Sequence, residues 1–138
     1  MTDAHAPVHA PAVDTGPLAA RLGISIIEVD PRRAVGTMPV DGNTQPYGLL
    51  HGGATAALAE TVASLAAMAH AGPGRIAVGV DLNATHHRSV REGLVTATAT
   101  AAHLGRTAVT YEVVVLDAES RRVCTARLTC LIRDARPE

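Results

Sequence analysis

Glu60 is the residue best placed to do chemistry, because it is the only ionisable side chain in the apolar stretch Gly52–Ala69. Its predicted helix face carries small residues instead of a solvated mixture of charges: Gly53, Ala56, Ala57 and Ala67. That face therefore belongs to a subunit interface or to a lined pocket. A carboxylate in such surroundings is costly unless it is paired or functional. We therefore interpret Glu60 as a functional carboxylate and not a merely structural one.

The residues around Glu60 add two further chemical features. Ser64 follows by one helical turn, so its hydroxyl is a neighbour of the carboxylate. His51-Gly52-Gly53 begins the helix, where bare backbone N–H groups and the positive end of the helix dipole can hold a developing oxyanion. Taken alone, the His51-Gly52-Gly53 motif is explained equally well by glycines that only cap the helix. Together with Glu60, the motif predicts a carboxylate and an oxyanion site on one wall of a pocket.

The elements that must position these groups are two strands, one long helix and four strands. The helix is predicted from about Gly52 to Ala69 and is ended by the Ala-Gly-Pro-Gly signal at residues 71–74. Its sheet-facing stripe is predicted as Leu58, Val62, Leu65 and Ala69. Alternation of apolar and polar residues with a period of two predicts the strands, and the short turns between them imply antiparallel pairing. The strands are predicted at 24–29, 34–40, 76–85, 94–104, 107–116 and 122–132. One helix on one sheet is an α+β layer fold.

Composition excludes several classes of function. The 138 residues carry a formal charge of −1, and the chain has no Phe or Trp, so we expect no nucleic-acid partner. The start of the chain lacks a secretory signal, and Glu60 argues against a membrane span. Cys124 and Cys130 lie six residues apart in one predicted strand, roughly 20 Å, which is beyond disulfide reach. Free thiols and no signal favour the cytoplasm.

The domain organisation is simple. Residues 1–16 are rich in Ala, Pro and His and are interpreted as a flexible N-terminal tail before a single domain over 17–138. Prolines make a helical metal site at His5 and His9 implausible. His86 and His87 are adjacent in a predicted strand and should point to opposite faces. We predict no metal and no resident cofactor.

Three stretches of the chain together resemble one enzyme family. They are Gln45-Pro-Tyr-Gly-Leu-Leu-His-Gly-Gly-Ala-Thr-Ala-Ala-Leu-Ala-Glu60-Thr-Val-Ala-Ser64, then residues 82–93, and then His103-Leu-Gly-Arg106. This pattern is similar to that of the phenylacetic-acid-type hotdog thioesterases. The likeness spans about residues 17–133. Within that family it is nearest to the enzymes for 1,4-dihydroxy-2-naphthoyl-CoA, of menaquinone biosynthesis, and for 4-hydroxybenzoyl-CoA.

The resemblance implies a hotdog fold, in which an antiparallel sheet of five to six strands wraps around one long central helix. It also implies a homodimer, commonly a dimer of dimers, with the site at the dimer interface. Glu60 would be the nucleophile or general base, and the Gly52 N–H would polarise the thioester carbonyl. Gln45 and His51 would position that carbonyl or the leaving thiolate, and Ser64 would hold the attacking water or the acyl group.

The same resemblance implies a coenzyme A site. The residues that it assigns to CoA are Gly79, His86, His87, Arg88, Ser89, His103, Leu104, Gly105, Arg106, Thr107 and Ala108. Arg88, Arg91 and Arg106 lie at predicted strand ends, where they can pair with nucleotide phosphates; plain surface arginines are an equally good interpretation of each. CoA would be part of the substrate.

The expected reaction is hydrolysis of an acyl-CoA thioester to a carboxylic acid and free CoA. Covalent attack by Glu60 and attack by water stay open. One rival is a hotdog-fold enoyl-CoA hydratase or dehydratase, although the chain has no His-Phe-Pro-Gly pattern and the spacing of His51 and Glu60 suits a thioesterase better. The other rival is a module that binds acyl-CoA without turnover. The identity of the acyl group is open.

Overall fold

The computed structural model describes residues 13–136, which form two helices and six strands. The helices are α1 (Gly16–Leu22) and α2 (Gly52–Ala71). The strands are β1 (Ser25–Asp30), β2 (Arg33–Pro39), β3 (Arg75–His86), β4 (Leu94–Leu104), β5 (Ala108–Leu116) and β6 (Arg122–Asp134). Most of the expected tail, including His5 and His9, lies outside the described residues.

The six strands form one antiparallel sheet in the order β1-β2-β4-β5-β6-β3. Consecutive strands joined by short turns pair directly, as β4, β5 and β6 do. The long helix α2 carries the chain from β2, near one edge, to β3, which forms the other edge. This sheet with one long central helix confirms the predicted α+β architecture.

The core lies between α2 and the inner face of the sheet. Strand β5 contributes Val109, Tyr111, Val113 and Val115, which alternate along it and are all fully buried. Small inward residues on β4, such as Ala97 and Ala99, allow the helix to lie close to the sheet.

The buried stripe of α2 differs from the predicted one. Leu58 and Val62 are fully buried as expected, but Leu65 is only half-buried and Ala69 is exposed. The other buried positions of the helix are Ala54, Thr55, Ala59, Ala63, Ala66 and Ala67. The stripe is therefore built mainly from alanines. Ala67 belongs to it and does not lie on the Glu60 face.

The ends of α2 have clear local causes. At its start the His51 side chain accepts a hydrogen bond from the Gly53 N–H. At its end Gly72 has a φ of 75°, a left-handed value that glycine adopts without strain, and Pro73 follows. By length and composition alone α2 could cross a membrane, but here it is the central helix packed on the sheet.

Both cysteines are free, as their spacing along one strand predicts, and both are buried. Cys124 and Cys130 lie on β6 and point toward the core.

Candidate active site

The carboxylate of Glu60 lies against strand β3. A β-carbon built onto Gly79 would stand 3.1 Å from Oε2 of Glu60, so the missing side chain at Gly79 makes room for the carboxylate. Glu60 is half-buried and lines a cavity of about 380 Å³ between α1 and α2. Ser64 and Leu65 line the same cavity. A carboxylate that is half-buried beside a cavity can reach both a bound molecule and a water molecule.

Cys130 is a buried neighbour of Glu60 and Ser64. It pairs in register with Gly79 across β3 and β6 and is fully buried. Burial raises the pKa of the Cys130 thiol, a hydrogen bond from the Ser64 hydroxyl acts in the opposite direction, and the nearby charge of Glu60 raises it further. The Cys130 thiol therefore stays protonated at neutral pH.

The start of α2 offers one free backbone donor. Gly52 occupies the first helical position, where an N–H has no intrahelical acceptor. The next donor, the Gly53 N–H, is used by Nδ1 of His51 at 2.8 Å. Because this Nδ1 accepts, the proton of the neutral His51 ring sits on Nε2, which can donate to a bound molecule. Gly52 and His51 thus present two donors at the helix start.

Asn43 holds the loop that leads into the helix. Its buried side-chain amide donates to the carbonyls of Leu22 at 2.7 Å and Pro39 at 2.8 Å, and its backbone carbonyl accepts from the His51 N–H at 2.9 Å. Gln45 follows in the same loop, where its N–H donates to the Leu49 carbonyl. Sequence reasoning missed Asn43, because an asparagine in a polar loop looks like any other turn residue.

A second cavity, of about 340 Å³, opens at the helix start. It is lined by Gln45, Gly52, Thr55 and the segment from His86 to Ser89, together with Leu49, Leu50 and Val123. His86 lies against the helix, since a β-carbon on Gly52 would stand 2.8 Å from its Nε2. His87 binds Thr125 through a 2.9 Å hydrogen bond, yet it lines this same cavity. The two rings point to opposite faces of the sheet as predicted, because His86 lies against α2 whereas His87 bonds Thr125, which alternates with the buried Cys124 and Ala126.

One chain does not bring the two halves of the predicted site together. Glu60 follows Gly52 by eight positions, which is about 12 Å along the helix. Glu60 lines the cavity beside α1, whereas Gly52 and Gln45 line the cavity beside His86. Within a chain, the carboxylate therefore does not face the donor at the start of its own helix.

The residues assigned to CoA also divide into two groups. The turn between β4 and β5, which contains Gly105, is tied to the far end of α2 by a 2.8 Å hydrogen bond between His70 Nε2 and the Gly105 carbonyl. Eighteen residues of helix, about 27 Å, separate this end from Gly52. The predicted residues near this end are His103, Leu104, Gly105, Arg106, Thr107 and Ala108. In one chain they are remote from the cavity that contains His86.

A larger cavity of about 620 Å³ lies away from the carboxylate, between the segment 89–93 and the turn 117–121. Ser89 and Arg91 line it, and Arg91 also donates to the Tyr47 carbonyl at 3.4 Å. Arg121 in the same cavity is already paired with the buried Asp117 at 2.8 Å. Although this cavity is larger, it is not the reactive centre, because Glu60 and Gly52 do not line it. It adjoins the helix-start cavity through Ser89, which lines both.

Comparison with known proteins agrees with this geometry. Residues 47–124 match the family model described as the thioesterase superfamily. The proofreading thioesterase EntH of Cronobacter turicensis is 43% identical over 122 residues, covering 88% of this chain and 89% of that protein. The crystal structure of thioesterase HI1161 from Haemophilus influenzae matches with a TM-score of 0.82 at 41% identity, covering 85% of this chain and 82% of that one.

A hypothetical thioesterase protein of Streptococcus pneumoniae, solved with coenzyme A, shares the fold. Its TM-score is 0.76 at 22% identity, and the match covers 88% of this chain and 94% of that one.

Proposed function

The chain belongs to the thioesterase superfamily and is a thioester hydrolase, and we propose that its substrate is an acyl-CoA with Glu60 as the catalytic carboxylate. The observation that carries the role of Glu60 is its half-buried carboxylate against Gly79; the other carboxylate at the cavity, Asp14, is exposed. No other carboxylate lies within α2. The fold also accommodates coenzyme A in the Streptococcus pneumoniae protein, which supports a CoA-linked substrate.

The mechanism begins with the thioester carbonyl placed between a carboxylate and an N–H donor. Glu60 either attacks the carbonyl carbon, forming an anhydride and releasing the CoA thiolate, or removes a proton from an attacking water. Negative charge develops on the carbonyl oxygen in both routes, and a helix-start N–H stabilises it. Ser64 lies one turn from Glu60 in the same cavity, where its hydroxyl can orient the water.

A second copy of the chain completes the site. On β3, Gly79 lies beside Glu60 and His86 lies beside Gly52. Strand β3 is a sheet edge, with Val80 54% exposed. If two β3 strands pair antiparallel about the midpoint between residues 82 and 83, Gly79 of one copy lies opposite the partner subunit's His86. Glu60 then meets the partner subunit's Gly52, which its own chain keeps about 12 Å away.

The coenzyme also needs residues from more than one copy. The segment from His86 to Ser89 borders the helix-start cavity, and the exposed Arg88 and Arg91 can pair with phosphates there. The segment 103–108 lies at the other end of α2. A single CoA that contacts both segments must draw them from different copies, which supports at least a dimer.

The acyl group of the proposed substrate is aromatic. 1,4-Dihydroxy-2-naphthoyl-CoA is its specific candidate, and 4-hydroxybenzoyl-CoA is the smaller one. The apolar part of the Glu60 cavity is formed by Leu18, Ala57 and Leu65, which leave a space of about 380 Å³ without an aromatic side chain. A ring would therefore be held by aliphatic contacts.

The first test is the variant Glu60→Gln, assayed with benzoyl-CoA, 1,4-dihydroxy-2-naphthoyl-CoA and a thiol reagent that detects free CoA. We expect kcat to fall about 1,000-fold or more while CoA binding is kept, since the amide is isosteric but neither attacks nor accepts a proton. Glu112→Gln is the matched control, because Glu112 is exposed on β5. Full hydrolysis by Glu60→Gln would refute the role of Glu60. Addition of water to crotonyl-CoA without release of CoA would point to a hydratase instead.

The second test is subunit complementation. Glu60→Gln and Gln45→Ala are each expected to be nearly inactive as pure proteins. Mixed dimers would contain one site with both wild-type residues if Glu60 and Gln45 of that site come from different copies. Recovery of activity on mixing and refolding supports the composite site, whereas no recovery would place the whole site within one chain.

A further inference from the structure

Two cavities share the face of α2 that meets α1. The Glu60 cavity, of about 380 Å³, is the first, and a second of about 370 Å³ lies one to two turns nearer the helix start. Leu22, Ala54, His51 and Gly53 contribute to the second cavity. It is thus an apolar space that begins beside the proposed acyl position and ends near the helix start.

Leu18 is the side chain that separates these cavities. Leu18 and Ala57 are the two residues that line both. Ala57 supplies only a methyl group on α2, so the partition between the cavities is formed by the larger Leu18 side chain from α1. Leu22 lies one turn further along α1, on the side of the second cavity alone.

Leu18 has no evident role in the core that would explain an apolar side chain there. It is 60% exposed, whereas its neighbour Ala19 is 2% exposed and anchors α1. An exposed leucine placed between two apolar cavities beside a carboxylate limits how far a bound acyl group can extend.

We propose that Leu18 sets the size limit of the acyl group, and that removing its side chain joins the two cavities into one longer acyl site. This inference rests on the proposed function, because it places the thioester carbonyl at Glu60 and the acyl group along Leu18 and Ala57. Each extra methylene that enters an apolar space strengthens binding about fourfold, so a joined cavity should bind long acyl chains much more tightly than short ones.

The test compares hexanoyl-CoA with dodecanoyl-CoA, and benzoyl-CoA with 2-naphthoyl-CoA, on the wild type, Leu18→Ala and Leu18→Phe. We expect Leu18→Ala to raise the kcat/KM ratio of the larger over the smaller substrate about tenfold or more in each pair. Leu18→Phe should lower the same ratio. The control is Leu131→Ala: Leu131 is 47% exposed and alternates with the buried Cys130 and Ile132, so it faces away from α2.

A binding measurement separates this inference from the proposed function. S-hexyl-CoA and S-dodecyl-CoA are thioethers that cannot be hydrolysed, and their affinities are measured by calorimetry with the same variants. A Leu18→Ala protein that gains affinity for the dodecyl over the hexyl thioether supports the partition, whatever the turnover. Ratios that stay within about twofold of the Leu131→Ala control in both assays would overturn it. Absence of hydrolysis of every thioester by the wild type would count against the proposed function alone.

Discussion

Gly79 and Glu60 are in direct contact across the interface between β3 and α2. The Oε2 atom of Glu60 would lie 3.1 Å from a β-carbon at Gly79, which is tighter than an ordinary van der Waals contact. The φ angle of Gly79 is not left-handed, so the glycine is needed to leave room for the carboxylate and not to allow an unusual backbone conformation. A strand residue without a side chain thus decides where the carboxylate lies.

The variant Gly79→Ala should lower kcat about tenfold, because the new methyl group displaces the carboxylate from its position against the strand. The fold should survive, since β3 is extended there and the other close atom is Cδ1 of Leu128 at 3.4 Å. Steady-state kinetics and a urea unfolding curve check the two statements together. An unchanged kcat in a folded Gly79→Ala protein would show that the position of Glu60 against β3 is not the reactive one.

The secondary structure of this chain could be predicted closely from its sequence. Alternation along 94–104 and 122–132 is strict, so the strands β4 and β6 were found to within two residues at either end. The helix α2 was found because a Gly-Gly start and an Ala-Gly-Pro-Gly end bracket a long apolar stretch. Local chemistry decides these features.

The packing face of α2 was harder to predict, for a physical reason. Alanine is compatible with both a core and a lined surface, so a wheel drawn on the larger residues Leu58 and Leu65 misjudges the stripe. That alanines such as Ala63 and Ala66 are buried becomes evident only from the packing of the sheet on the helix.

The arrangement of the candidate site was the least predictable part. Spacing along the chain places Gly52 and Glu60 on one helix, but it does not say that their side chains line separate cavities. The partition by Leu18 and the anchoring of the loop by Asn43 depend on contacts across the fold.

The contact between Gly52 and His86 predicts an energetic coupling between the two residues. A β-carbon at Gly52 would stand 2.8 Å from Nε2 of His86, so Gly52→Ala must push the exposed imidazole into another position. We expect a coupling energy of about 1 kcal/mol in a double-mutant cycle of Gly52→Ala and His86→Ala, measured by urea unfolding. Additive effects would mean that the ring is not held against the helix start.

Activity should respond differently in that cycle. Alanine at position 52 keeps the N–H, so a loss of kcat in Gly52→Ala that His86→Ala reverses comes from the displaced ring. A loss that persists in the double variant comes from the methyl group at the oxyanion position itself. Either result locates the substrate carbonyl relative to the cavity that Gly52 and His86 share.

Tyr111 links the core to the turn between β1 and β2, and its titration should appear in the alkaline stability of the protein. Its hydroxyl donates to the Pro31 carbonyl at 2.6 Å, and the side chain is fully buried. Burial, followed by the charges of Cys130 and Asp30, raises the pKa of Tyr111 to about 12. In the unfolded chain the pKa is about 10.

Because the folded pKa is the higher one, the stabilisation by protonated Tyr111 is complete below about pH 10 and is lost as the pH rises toward 12. At pH 8, Tyr111→Phe should lower the free energy of unfolding by about 1 to 2 kcal/mol, since the Pro31 carbonyl loses its donor. At pH 11 the deficit should shrink by about 1 kcal/mol. Urea unfolding at both pH values measures this, and Tyr47→Phe is the matched control because Tyr47 is 79% exposed. A deficit for Tyr111→Phe that stays constant between pH 8 and pH 11 would mean that the phenol titrates alike in the folded and unfolded chains.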